Sequence, residues 1–159
     1  MTETSRDMLR HTLATLAYRA AKAVRGVPDG FGEFRASPTS RTPSQILAHL
    51  CDLMDWALTQ AAGQQAWTDT TPRSWDEDTT RLFKAMRDMD EYLASPAPLA
   101  YAPAQIFQGA IADALTHVGQ INFLRRMFGS PVRGENYFRA DINAGRVEAD
   151  QPPPRREFD

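Results

Sequence analysis

Cysteine is nearly absent from this chain: Cys51 is the single example in 159 residues. One thiol cannot close an internal disulfide, so a disulfide-stapled scaffold is excluded and a reducing, cytoplasmic setting is expected. The first residues, Met1-Thr2-Glu3-Thr4-Ser5-Arg6-Asp7, carry no apolar stretch of the secretory kind. No run approaches the ~20 apolar residues that a membrane span requires, so no membrane role is expected. Charge of one sign is also lacking. A net charge of -2 and a pI near 5.9 leave no basic excess to track phosphates, and nucleic acid is not expected as a partner. The arginine doublets Arg125-Arg126 and Arg155-Arg156 do not make a stripe. Histidine is scarce too, with three residues in all, and none has a glutamate three positions before it. That excludes the paired Glu-x-x-His arrangement of ferritin-like di-metal oxidases. Sustained period-two alternation is missing, so strands are not indicated, and there is no internal repeat.

What is present is helical periodicity, punctuated by proline and glycine. Leu9, Leu13, Leu16, Ala20 and Val24 fall three or four apart and predict a helix from about Ser5 to Arg25, stopped by Gly26, Pro28 and Gly30. A polar loop leads to Thr42-Pro43, a capping residue with proline at the first helical position. The arc Ile46, Leu47, Leu50, Leu53, Met54, Ala57 and Leu58 follows, to Gly63. Ser74 and Glu77 fit a capping box, ahead of a third stripe of Trp75, Leu82, Met86, Met89 and Leu93 that ends at Pro96. The fourth helix runs from near Pro103 to Phe128, with Gly129 as its stop. The expected fold is all-α: one four-helix bundle domain over residues 1–148, closed by a wrapping segment from Ser130 to Val147. Residues 149–159, with three consecutive prolines, read as a flexible tail.

The fourth helix carries the informative anomaly. Ile106, Ala110, Asp113, His117, Ile121 and Leu124 read as its core-facing stripe, and two of these six are a carboxylate and an imidazole. Spacing of four puts them on neighbouring positions of one face, ~6 Å apart along the axis. A buried, ionised aspartate needs a partner. A divalent cation is one, and Asp-x-x-x-His is a two-ligand helical pair suited to binding it. His11 falls on the polar side of the first helix, whereas His49 flanks the apolar arc of the second. His49, Asp113 and His117 therefore make the candidate metal set, with Gln120 or Asn122 placed to hydrogen-bond an imidazole. The ordinary reading stands beside it: Asp113 pairs with an arginine or faces solvent, and the histidines are plain surface or core residues. Cys51 reads as a small core residue.

Two stretches carry a resemblance. Thr42-Pro43-Ser44-Gln45-Ile46-Leu47-Ala48-His49-Leu50-Cys51-Asp52 is similar to the histidine-bearing second helix of the DinB-like superfamily, a group of metal-dependent four-helix proteins that includes the YfiT-like enzymes. Asp113-Ala114-Leu115-Thr116-His117-Val118-Gly119-Gln120-Ile121 resembles that family's last-helix signature, His-x-Gly-Gln. The likeness spans most of Ser5 to Gly129. It implies that His49 and His117 are ligands and that Asp113 stands where the family has a third histidine, a departure that favours harder ions or marks a lapsed site. It further implies a divalent ion (zinc, nickel, iron or manganese), a low-molecular-weight thiol cofactor, and a thiol-dependent transferase or a hydrolase acting on a small-molecule substrate. By analogy alone it implies a homodimer. The wrapping segment would then cross the mouth of the site, with Tyr137 or Arg139 meeting an anionic substrate; alternatively, Tyr137 and Phe138 simply anchor it. The competing expectation is a non-catalytic bundle that binds a small ligand or dimerises, with a structural or lapsed metal site.

Overall fold

A computed structural model describes residues 4–159. It is predominantly helical. Helix α1 spans Ser5–Val24, α2 Pro43–Ala62, α3 Trp75–Ala94, α4 Pro103–Ile106 and α5 Ala112–Phe128. A π turn, Phe107–Ile111, joins α4 and α5 into one continuous helical run. The long helices begin where local chemistry satisfies their free N–H groups. Thr4 with Asp7, Thr42 with Gln45 and Ser74 with Glu77 each form a reciprocal capping box. Gly63 and Gly129 end α2 and α5 in the left-handed conformation that glycine adopts without steric cost. Among the described residues, no helix is long and apolar enough to cross a membrane.

The four long helices share one core. Leu13, Leu16, Leu47, Leu50, Met54, Leu82, Met86, Met89, Leu93 and Ile111 are all fully buried. Helix α2 packs against α3 and α5, and α1 against the same two. The groove between α2 and α5 thus has the core as its floor and solvent above. Arg125, 6% exposed, lies across the end of α1 and donates to the carbonyls of Ala23, Arg25 and Gly26. It caps a helix C-terminus from inside the protein, so it is not part of a basic surface.

Beyond Gly129 the chain departs from expectation in one respect. Gly134–Glu135 (β1) pairs antiparallel with Glu157–Phe158 (β2), although no strand is indicated by the sequence. Two residues a side are too few to leave an alternation pattern. Residues 149–159, expected as a flexible tail, contain one of the two strands. The segment is tied to α1 by charge: Glu135 accepts from Tyr18 at 2.5 Å and from Lys22 at 2.9 Å, and Lys22 also meets Glu157 at 2.9 Å.

Candidate metal centre

Helix α2 contributes His49 and helix α5 contributes Asp113 and His117. His49 Nε2 lies 3.8 Å from one carboxylate oxygen of Asp113, and His117 Nε2 lies 3.5 Å from the other. The two imidazole rings meet edge to face with centroids 4.7 Å apart. One donor atom from each residue falls within 4.8 Å of the others, and the group can hold a metal ion. His11 takes no part in it.

The position of Asp113 differs from the expected one. Its side chain is 48% exposed, against 18% for His49 and 12% for His117. The core-facing line of the fourth run is Ile106, Ala110, Ala114, Val118, Ile121 and Arg125. Its repeated spacing of four suits the wider π turn at the start. Asp113 and His117 each precede a member of that line by one residue, which rotates them about 100° toward the α2 groove. Asp113 therefore loses little hydration, and burial alone does not demand a cation beside it. The case for an ion rests instead on convergence of the donors.

Three features prepare the imidazoles. His117 Nδ1 is 2.7 Å from Gln120 Oε1. An amide oxygen only accepts, so Nδ1 carries the proton and Nε2 presents its lone pair to Asp113 and His49. Gln120 thus backs the His117 ring, while the Oδ1 of Asn122 is buried without a hydrogen bond among the described residues. Burial, then the neighbouring His117 and Arg41, push the pKa of His49 below the usual imidazole value, so it is neutral near pH 7. Trp67 stands edge-on to His49 at 5.6 Å and edge-on to Trp56 at the same distance, which covers one flank of the imidazole.

Trp67 belongs to the loop between α2 and α3, and a buried acid fixes that loop. Asp52, 1% exposed, accepts from Thr68 Oγ1, from the N–H and Oγ1 of Thr70, and from Arg81 at 2.5 Å. Neither Trp67 nor Asp52 is among the residues singled out from the sequence. Asp52 was detectable by the test applied to the fourth helix, because an acid stands among Leu50, Cys51, Leu53 and Met54. Trp67 was visible only as a lone aromatic in a polar loop.

Tyr137 is placed elsewhere. It packs edge-on against Tyr18 at 6.3 Å, with the Arg19 guanidinium 4.1 Å from its ring centre. Phe138 is 98% exposed, so it anchors nothing. Arg139 is exposed. Among the described residues, no hydrogen bond, ion pair or aromatic contact joins Tyr137 or Arg139 to the three donors. Cys51 is fully buried and its thiol donates to the Asp78 carbonyl. Burial raises its pKa to about 12, which leaves no thiolate for nucleophilic or ligand chemistry.

No protein-family model, curated protein or solved structure matches the chain.

Proposed function

We propose that the chain is a DinB-like four-helix bundle, closed by its C-terminal segment, that works as a divalent-metal-dependent enzyme on a small-molecule substrate. The chemistry would be that of a transferase or hydrolase. One observation carries this reading: two imidazoles from different helices and a carboxylate converge within 4.8 Å. The donor set also fits an ion chemically. His49 is held neutral, Gln120 fixes the tautomer of His117, and Asp113 supplies the anion. Zinc, nickel, iron and manganese all suit two imidazoles and a carboxylate, and three protein donors leave further positions open. When bound, such an ion supplies Lewis acidity that brings water or a low-molecular-weight thiol to its nucleophilic form near neutral pH.

The protein's own residues would orient and shield. Gln120 keeps the His117 ring in one rotational state, and Trp67 excludes water from one flank of His49. The half-exposed side at Asp113 gives the substrate its approach.

Metal analysis of the purified protein beside His49→Ala, Asp113→Ala and His117→Ala tests the reading. About one equivalent of divalent ion is expected in the wild type, with loss in each variant. Equal content in all four proteins would remove it.

A second reading, a non-catalytic module that binds a small ligand or dimerises, draws support from a different place. An apolar cleft of about 490 Å³ lies between the start of α1 and α4, with Met8, Leu9 and Phe107 in its wall. Met8 and Phe107 are both exposed there. Metal-dependent turnover that survives filling of this cleft by Thr12→Trp would favour the enzyme.

A further inference from the structure

A polar cleft of about 440 Å³ opens beside His49, walled by Arg41 just ahead of the α2 cap, by Gln45 in the first turn of α2, and by Asp69 and Thr71 of the following loop. His49 is common to this cleft and to the donor group, so the cleft adjoins the place where the three donors converge. Arg41 makes no ion pair and no hydrogen bond among the described residues. That sets it apart from Arg81, which is paired with two aspartates, and from Arg125, which is spent on backbone carbonyls.

Gln45 uses its side-chain oxygen on the Thr42 N–H, and its amide N–H groups have no partner among the described residues. The Thr71 hydroxyl likewise has no partner among the described residues. The cleft wall therefore offers one guanidinium, one amide and one hydroxyl as donors. Asp69 is the one acid among the described residues that line it, and Arg41 offsets it. A divalent ion more than offsets Asp113, so the loaded cleft is net positive.

We infer that this cleft seats the carboxylate of the substrate, with Arg41 as the group that grips it while another donor of the same molecule faces His49, Asp113 and His117. The inference rests on the metal-site reading and adds to it a substrate class, small carboxylic acids carrying a second polar or sulfur group. A guanidinium matches a carboxylate through two parallel N–H donors, which fixes orientation as well as affinity.

The test uses cobalt(II)-loaded protein, which reports thiol coordination by its sulfur-to-cobalt absorption. The probes are 3-mercaptopropionate and 4-mercaptobutyrate, with 2-mercaptoethanol as the carboxylate-free control. At least one carboxylate thiol should bind the wild type about tenfold more tightly than the control, the scale of one charge-assisted contact. Arg41→Gln should abolish that preference, scored against 2-mercaptoethanol on the same cobalt-loaded variant, while Arg41→Lys keeps part of it. Cobalt binding without any carboxylate preference, or a preference untouched in Arg41→Gln, overturns the inference and leaves the metal site standing. Failure of the wild type to bind cobalt removes the metal reading, and the carboxylate seat falls with it.

Discussion

Gln120 governs which nitrogen of His117 an ion would meet. Its amide oxygen, 2.7 Å from Nδ1, keeps the proton on that side and the lone pair on Nε2, toward His49 and Asp113. Replacing it with alanine frees the ring to rotate and to change tautomer. Gln120→Ala should weaken divalent-ion affinity about 10- to 100-fold, as loss of a partner behind a ligating histidine does, without unfolding the protein. Competition against a chelator of known strength measures this, and an unchanged affinity would show that the bond orients nothing. Gly119, the neighbour of Gln120, behaves differently. A Cβ built there meets nothing within 4 Å, and its backbone is that of the helix interior. Gly119→Ala should therefore raise stability by about 0.5–1 kcal/mol by restricting the unfolded chain, with metal affinity unaltered; thermal melts read the gain.

At the level of elements, the α2–α3 loop is held by a charge and not by apolar packing. Burial opposes ionisation of Asp52, but the Thr70 N–H, the Arg81 guanidinium and the Thr70 hydroxyl together outweigh it and hold the carboxyl below the usual range. Because the folded pKa lies below the unfolded one, the unfolded chain binds more protons between the two values. The stabilisation is thus complete above the unfolded value of about 4 and is lost as pH falls through the folded one. Asp52→Ala should cost about 3–5 kcal/mol at pH 7, since Arg81 then keeps only Asp55 and the loop donors are orphaned. Urea unfolding from pH 7 to pH 3 should show a shallower acid decline in the variant. Tryptophan emission should shift to the red as Trp67 leaves His49 and Trp56. An unchanged spectrum would separate the loop's position from Asp52.

Across the whole molecule, Lys22 ties the C-terminal segment to α1. It is 6% exposed, and although burial works against its charge, the bonds to Glu135 and Glu157 raise its pKa. It joins α1 to both strands of the C-terminal segment. Lys22→Met leaves the Glu135 side chain, 0% exposed, with Tyr18 as its remaining partner, and should cost about 3–5 kcal/mol. Amide exchange should quicken at Gly134–Glu135 and Glu157–Phe158 while α2 and α5 stay protected and metal content is unchanged. Equal protection throughout would mean that the segment is held by something other than this charge pair.

Local rules settled much of this protein in advance. Leu9, Leu13, Leu16, Ala20 and Val24 are buried as their spacing requires, and Thr42-Pro43 and Ser74 with Glu77 start helices because an N-cap is chemistry within four residues. The pairing of Asp113 with His117 was legible for the same reason, and the choice of His49 followed from there being three histidines to consider. Helical phase was less secure: one position, about 100° of rotation, separates an interior Asp113 from the half-exposed one at the groove edge. Tertiary structure alone decided which surfaces meet. Thr70 reaches Asp52 across 18 residues, and Lys22 reaches Glu135 across 113. Trp67 comes to rest on His49, and Arg41 lines the same cleft as that imidazole. Such contacts leave no periodic trace, because they are fixed by how separate helices pack and not by the residues on either side along the chain.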